Sequence, residues 1–409
     1  MIEDKQISIT KLNISLVFVL LLFIQCLENL SNNGTVQFVL KHVDEGITLL
    51  FIIYLIINGK QLFQAKSFIL TIWLFFMIWG VLSSIYSREQ SIIPSLVDAI
   101  AIVERFMVGY FTLVIFQKKN KIEIGRQLYS CARVISVILF ILCINEIFLF
   151  PIWPKGEYRY FMNSMSLMFP HVTYLAAASA IILILLGTCS CSWSNLVCMV
   201  MITFVGMCTL RSKAIGFFLI YWVLYVIIFI LKYKKYKSAM ILGGFVGVIA
   251  AWGQIWHTFF NESTFSPRKV MLKDSFQLLL DRFPFGTGYG SFGSTIASSN
   301  YSGLYTKLGY EEYNGMNPEN TSFLTDSFWP EILGQFGFVG TVLFIVVVIY
   351  FLKLSFEKMK ISINTGFAML MTMIYLIIAS VAESSFFNPT SFLFFIMFAI
   401  YEYGDGECL

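Results

Sequence analysis

The chain alternates between long apolar runs and short polar connectors. About twelve runs reach the roughly 17–25 apolar residues that a helix needs to cross a bilayer. They cover residues 12–28, 37–58, 67–86, 92–117, 128–150, 166–187, 192–210, 213–231, 239–257, 329–352, 364–381 and 386–403. Barrel strands are about half as long and alternate strictly between apolar and polar positions. The pattern therefore predicts an all-α polytopic membrane protein, with residues 1–409 as a single transmembrane domain.

One long polar insert, residues 258–328, separates the ninth and tenth predicted spans. Within it, Ser266 and Pro267 are typical of a helix N-cap and first turn. The pattern that follows predicts an amphipathic helix of about four turns, lying flat on the membrane surface. Its apolar positions are Val270, Phe276, Leu279 and Leu280. Pro284 ends it, and the FGTGYGSFG segment that follows is predicted to be a turn whose backbone can approach a ligand closely.

Composition and charge distribution add a location and an orientation. The chain is 58% hydrophobic and 13% charged, and a soluble domain of this length could not bury so much apolar surface. Lys and Arg concentrate in every second connector, and cytoplasmic connectors are the ones that carry this excess. The rich connectors contain Lys60, Lys66, Lys118, Lys119, Lys121, Arg126, Lys232–Lys237, Lys353, Lys358 and Lys360. We therefore predict cytoplasmic termini and an external insert.

The eight cysteines do not predict a disulfide framework or a metal site. Most lie in apolar runs and none lies in the insert, which favours free thiols. Cys189 and Cys191 are too close together, and lack the His partners, for a zinc site. We predict no metal and no cofactor.

Several basic residues could bind an anion at the external face. Arg211, in TLRSKAIG, stands between two apolar runs. One interpretation is a flanking residue whose side chain snorkels to the interface. The other is a phosphate-binding residue, because guanidinium is planar, permanently charged and able to donate two parallel hydrogen bonds. Further positive charge in the same compartment comes from Lys213, Arg268, Lys269 and Arg282. Acidic residues outnumber basic ones in the insert, so the insert as a whole does not attract anions. Any anion site must come from basic side chains placed close together.

Carboxylates supply the other candidate chemistry. Asp326, in TDSFW, precedes the tenth span and is either a helix cap or a general base. Glu319 and Glu331 are the next carboxylates to consider for that role. Glu104 and Arg105 interrupt the fourth span, where ionisable residues are functional candidates, although a structural ion pair is an equal alternative.

These motifs together resemble the O-antigen polymerase and ligase superfamily. The resemblance covers residues 192–345 and consists of Arg211 after a span, Arg268 about sixteen residues before PFGTGYGSF, and a closing Gly337-x-x-Gly340 pair. It implies a GT-C-like membrane fold and glycosyl transfer without a nucleotide sugar, metal or cofactor. The donor would be a glycan on undecaprenyl diphosphate, and an acceptor hydroxyl would displace the lipid diphosphate.

The resemblance also implies roles for individual residues. Arg211 and Arg268 would bind the diphosphate, and Asp326 would act as the base. The predicted substrate-binding set is Arg282, Lys213, Lys269, Tyr289, Glu319 and Glu331. The insert tyrosines would stack on sugar faces; besides Tyr289 these are Tyr301, Tyr305, Tyr310 and Tyr313.

The choice between branches of the superfamily depends on histidine. In the ligases a His commonly lies late in the external loop, whereas this chain has only His42, His171 and His257. Asp326 occupies that place, which favours the Wzy-type polymerase branch in a bacterial inner or plasma membrane. A flippase and a chain-length regulator are possible partners, and no nucleic acid is expected. The alternatives are an O-antigen ligase, a polysaccharide flippase or transporter, and a sensory or structural membrane protein.

Overall fold

A computed structural model describes residues 2–30, 34, 37, 40, 43–120, 124–154, 156–189, 192–232, 256 and 265–403. The ninth predicted span, apart from residue 256, lies outside these residues. So do the first residues of the insert and most of the predicted cytoplasmic Lys cluster at 232–237. All structural statements below concern the described part of the chain.

Most of the described residues are helical, and almost none lies in a sheet. In chain order the α-helices are α1 Ile2–Leu30, α2 Val43–Ile57, α3 Gly59–Ser87, α4 Ile92–Val103, α5 Gly109–Asn120, α6 Gly125–Phe148, α7 Val172–Leu186, α8 Trp193–Met207, α9 Ser212–Tyr225, α10 Pro267–Asp281, α11 Thr295–Ser299, α12 Gly303–Lys307, α13 Phe328–Ile361, α14 Ile363–Ala379 and α15 Pro389–Tyr403. The π-helical turns Glu104–Val108 and Val226–Ile230 join α4 to α5 and extend α9. A short hairpin consists of two antiparallel strands of two residues each, β1 Tyr158–Arg159 and β2 Met162–Asn163.

Five helices in the described ranges are long and apolar enough to cross a membrane. They are Gly59–Ser87, Ile92–Gln117, Gly125–Phe148, Ser212–Ile230 and Phe328–Ile361. Six shorter apolar helices, of 10–17 residues, correspond to other predicted spans. The all-α, membrane-embedded class is therefore supported, whereas the total of twelve spans stays a prediction. Within the predicted second span, 37–58, the described residues include the 15-residue helix Val43–Ile57.

The core of the bundle forms around α7, α13, α14 and α15. In α7 every residue except Thr173 and Tyr174 is buried, as expected for a helix that is apolar all round. Near the start of α13, Phe328 packs against Phe344, with 5.0 Å between ring centroids. The insert adds a smaller core of its own, formed by Met271, Leu278, Phe292, Ala297, Leu304, Tyr305, Tyr310, Met316 and Leu324.

The predicted amphipathic helix is present as α10, but its buried face differs from the predicted stripe. Met271, Ser275 and Leu278 face the protein. Phe276 and Leu280, assigned to the apolar stripe, are 51% and 67% exposed. The difference arises because α10 packs on α13 and the insert core through the face that carries Met271 and Leu278, which leaves Phe276 and Leu280 exposed.

The GTGYG turn contacts backbone, and not an open ligand site. Gly337 has φ +62° and ψ −158°, which interrupts α13 and frees carbonyls of the preceding turn. Two of these carbonyls accept N–H groups of the GTGYG turn: Thr287 N donates to Gly334 O at 2.8 Å, and Gly288 N donates to Gln335 O at 2.9 Å. The predicted close backbone approach is therefore real, but its partner is α13.

Polar contacts tie the two ends of the bundle differently. At one end, here called the insert end, the connector after α3 meets the insert, where Glu89 pairs with Arg282 and Lys307. At the opposite end, Lys66 pairs with Glu402, whose other carboxylate oxygen accepts from Tyr110 OH at 2.7 Å. Residues predicted to be external and residues predicted to be cytoplasmic thus meet partners at opposite ends. Which end faces the cytoplasm stays a prediction.

The cysteine prediction is wrong in one place. Cys26, Cys131, Cys143, Cys198 and Cys208 are free, as predicted. Cys189 is disulfide-bonded.

Candidate functional site

A cavity of about 820 Å³ opens at the insert end of the bundle. Charged side chains dominate its wall. The basic ones are Arg105, Arg159, Arg211, Lys213 and Arg268, and the acidic ones are Asp98, Glu157, Asp326, Glu331 and Glu383. The cavity therefore brings together residues from the membrane bundle, its connectors and the insert.

Helix N-termini converge on this cavity. Its wall includes His171 before α7, Arg211 before α9, Arg268 in the first turn of α10, Asp326 just before α13, and Pro389 at the start of α15. The first N–H groups of a helix have no partner within it, and its dipole makes that end positive. Five such ends around one cavity favour a negatively charged ligand.

Arg268 and Asp326 form the first ion pair in the wall. Arg268 Nη2 donates to Asp326 Oδ2 at 3.0 Å, and Arg268 Nε donates to the Asp326 main-chain oxygen at 3.3 Å. This pair fastens the first turn of α10 to the entry of α13. Burial raises the pKa of the Asp326 carboxyl above its ordinary value, and the nearby Arg268 charge acts in the opposite direction.

The helix-cap interpretation of Asp326 finds no support in its contacts. The N-cap of α13 is Ser327, whose side chain makes no capping hydrogen bond. The Asp326 carboxylate is directed at Arg268 instead of the first amides of α13. Asp326 is therefore free of a capping role and remains a candidate base.

The second ion pair lies deeper in the wall. Lys213, in the first turn of α9, pairs with Glu383 in the segment after α14, and the Lys213 side chain is only 7% exposed. A third pair joins Arg159 Nη2 to Glu157 Oε2 at 2.6 Å in the hairpin region. Each of these cations is balanced by a carboxylate, which reduces its attraction for a further anion.

Arg211 has no described carboxylate within 4 Å of it, a feature that it shares with Arg105, whose Nη1 donates to the Phe387 main-chain oxygen at 3.4 Å. Arg211 Nη2 lies 3.2 Å from His171 Nε2, and the buried Arg211 Nε has no hydrogen-bond partner among the described residues. The backbone places it by a tight turn after α8, where Leu210 has φ +51° and donates its N–H to Met207 O at 3.0 Å. Arg211 thus presents to the cavity a guanidinium without a described ion-pair partner, and the carboxylates of Glu157 and Asp326 act on it only from farther away.

The floor of the cavity holds two buried carboxyl groups. Asp98 Oδ2 accepts from Gly290 N at 2.8 Å, and Glu331 accepts from Ser384 Oγ. Gly293, with φ +76°, lies against the helix at this point, because a Cβ there would stand 2.9 Å from Glu331 Cα. The glycine-rich turn therefore fixes the two carboxyl groups at the base of the site.

The structure brings together only part of the predicted site. Arg211, Lys213, Arg268, Asp326 and Glu331 all line the cavity.

The remaining predicted residues lie elsewhere. Arg282 is paired with Glu89, and Lys269 and Glu319 do not line the cavity. Tyr289 is 1% exposed and donates its hydroxyl to Met77 O at 3.0 Å. Tyr305 and Tyr310 are fully buried. These three tyrosines have no ring face open for a sugar, because the insert uses them for its attachment and its core.

Sequence reasoning missed several residues of the wall, among them Asp98, His171 and Glu383. His171 was set aside because it lies far from the insert along the chain, although α7 brings it to Arg211. For Arg105 the sequence supports a structural ion pair and a functional role equally. The positions of these residues in the sequence could have indicated a functional role, because each is an ionisable residue that lies within or beside an apolar run.

Comparisons with known proteins do not place the chain in a family. No protein-family model matches it, and no curated protein matches it. The resemblance to the O-antigen polymerase and ligase superfamily therefore depends on the sequence motifs and the predicted topology alone.

Proposed function

We propose that the chain is a glycosyltransferase that joins oligosaccharide repeat units carried on undecaprenyl diphosphate, at the external face of a bacterial cell membrane. The observation that carries the proposal is the convergence of Arg211 and five helix N-termini on one cavity at the insert end of the bundle. A diphosphate that leaves during the reaction gains negative charge, and preorganised positive groups stabilise that charge.

Arg211 supplies the main receptor for the diphosphate. It has a planar donor fork and no described carboxylate partner within 4 Å. Lys213 and Arg268 contribute positive potential nearby, although Glu383 and Asp326 already balance them. No metal ion is required by this arrangement, because the guanidinium groups fill the role of charge stabilisation.

Asp326 serves as the base in this proposal. The acceptor hydroxyl oxygen forms a bond to the anomeric carbon of the donor, and its proton passes to the Asp326 carboxylate. The bond from the anomeric carbon to the diphosphate oxygen breaks, and its electron pair leaves with the lipid diphosphate. Arg268 couples diphosphate binding to proton transfer. A bound diphosphate competes with Asp326 for the Arg268 guanidinium and so frees the Asp326 carboxylate.

A ligase is the second candidate function, and His171 favours it. A histidine that lines the cavity beside Arg211 could take the proton that we assign to Asp326. The two functions differ in their acceptor, which is another repeat unit for a polymerase and a lipid core for a ligase.

The test uses a strain that lacks the gene for this chain. Complementation with the wild-type chain should restore long polymer, whereas Arg211→Ala should leave single repeat units exported but unjoined. Lys269→Ala is the matched control, because Lys269 is a basic residue outside the cavity wall. Loss of single-unit export in the deletion strain would instead support a flippase. Polymer that accumulates on undecaprenyl diphosphate without reaching its lipid core would support the ligase.

A further inference from the structure

The contact between Arg211 and His171 differs in kind from the other cation contacts of the cavity. Lys213, Arg268 and Arg159 each pair with a carboxylate, and Arg105 donates to the Phe387 main-chain oxygen at 3.4 Å. Arg211 meets an imidazole nitrogen, at 3.2 Å from Nη2 to Nε2. A carboxylate orients a guanidinium but cancels its charge, whereas a neutral imidazole can orient it and leave the charge available.

The proton on His171 can be assigned from this contact. Guanidinium has donors and no acceptor, so Nε2 must accept, and the neutral ring then carries its proton on Nδ1. That nitrogen lies 2.7 Å from Thr173 Oγ1, which can accept the proton; in this tautomer Nδ1 gives up the longer capping contact with the Thr173 main-chain N–H, at 3.3 Å. A chain of hydrogen bonds therefore runs from Arg211 through His171 to Thr173, and all three residues line the cavity.

The surroundings of His171 agree with a neutral ring. Burial lowers its pKa, and the positive charges of Arg211 and Lys213 lower it further, while Glu383 and Glu157 act in the opposite direction. These groups come from the connector before α9, from α9 itself, from the segment after α14 and from the hairpin region. His171 is also the N-cap of α7, so the helix fixes where the ring can lie.

We propose that His171 is the positioning residue for Arg211 and holds its guanidinium in the cavity, as a receptor for a diphosphate group without a described ion-pair partner, by accepting a hydrogen bond at Nε2. The inference rests on the proposed function for the identity of the ligand. It concerns anion binding alone, and it gives His171 no contact with the reacting atoms.

Three substitutions separate orientation, helix capping and charge. His171→Gln keeps a neutral acceptor near the position of Nε2, so it should still orient Arg211. His171→Asn keeps a good helix N-cap but cannot reach Arg211. His171→Glu can reach Arg211 and cancels its charge. A role in folding alone would make Asn the best tolerated of the three, whereas the positioning role makes Gln the best.

The experiment measures binding of inorganic pyrophosphate to the purified full-length chain by calorimetry at neutral pH. We expect His171→Gln to bind within a few-fold of the wild type. His171→Asn and His171→Glu should bind on the order of tenfold more weakly, the size expected for loss of one hydrogen bond to a charged group. Arg211→Ala, the reference for complete loss, should bind most weakly.

Each other outcome has a definite meaning. Equal affinity of wild type and His171→Asn, with binding lost in Arg211→Ala, would overturn the role of His171 and leave the Arg211 receptor intact. Equal loss in His171→Gln and His171→Asn would also overturn it, because acceptor rescue would have failed. Wild-type chain that does not bind pyrophosphate would overturn both this inference and the diphosphate role of Arg211.

Discussion

Arg268 holds Asp326 by two hydrogen bonds, one to the carboxylate at 3.0 Å and one to the main-chain oxygen at 3.3 Å. The two residues are 58 positions apart in the sequence, at the start and near the end of the described insert. These two hydrogen bonds, called the clasp below, couple the position of the candidate base Asp326 to the charge of a candidate diphosphate ligand.

Asp326→Asn should abolish most polymerisation while the protein accumulates normally. The amide oxygen can still accept from Arg268, so the clasp survives, but an amide cannot take a proton from a hydroxyl. General base catalysis typically contributes about 100- to 10,000-fold in rate, and a loss within that range is expected. The measurement is polymer length and initial rate at matched protein levels. Full-length polymer at the wild-type rate would show that the base lies elsewhere, with His171 and Glu331 the next residues to test.

Arg268→Lys should lose more activity than conservation of charge suggests. A Lys ammonium cannot make the two directed contacts that the guanidinium makes with Asp326. Loss of one contact that stabilises a transition state costs about 100- to 1000-fold in rate. Lys269→Arg is the matched control, because it changes the adjacent basic residue, which does not line the cavity. Wild-type rates in Arg268→Lys would mean that the clasp is dispensable.

The pH dependence of the reaction should report on the same pair. A base must be deprotonated, so the rate should fall on the acid side as Asp326 takes up a proton. Burial raises the pKa of Asp326, and this acid limb should therefore lie above the ordinary Asp value. Arg268 lowers that pKa, so Arg268→Gln should move the limb to higher pH. An acid limb that stays in place in Arg268→Gln would assign the titration to another group.

Gly293→Ala should damage the site through the backbone. Gly293 has φ +76°, and an added Cβ would stand 2.9 Å from Glu331 Cα. Strain of this kind costs on the order of 1–3 kcal/mol, and it would move the turn that holds Asp98 at the cavity floor. Gly303→Ala is the control, since a Cβ there meets nothing within 4 Å. Thermal unfolding in detergent measures the difference, and equal melting temperatures would contradict the packing described for this turn.

The sequence predicted the parts of the fold and site that depend on local pattern. Apolar length identified the membrane helices, and Ser266 and Pro267 marked the start of α10 within one residue. Four site residues were predictable as one group, because each lies at the edge of an apolar run or in the insert on the predicted external side. They are Arg211, Lys213, Arg268 and Asp326.

The parts that depend on tertiary packing were not predictable. The partner of the GTGYG turn became apparent only with the break of α13 at Gly337, which frees the carbonyls that the turn contacts. The local sequence around Tyr289 would be the same if its ring were exposed to bind a sugar. Only the burial of Tyr289 in the folded chain excludes that role. His171 and Glu383 reach the cavity through the packing of α7 and the segment after α14, which no spacing in the sequence indicates.

The most direct test of the central claim is polymerisation by the purified chain from a defined donor. The chain would be reconstituted in lipid vesicles with a synthetic repeat unit on polyprenyl diphosphate, and both the glycan ladder and the released polyprenyl diphosphate would be measured. We predict a ladder with one diphosphate lipid released per bond formed, and loss of both products by about 100-fold or more in Arg211→Ala. A ladder of unchanged length and rate from Arg211→Ala, at equal protein in the vesicles, would contradict the claim that this cavity is the site of glycosyl transfer.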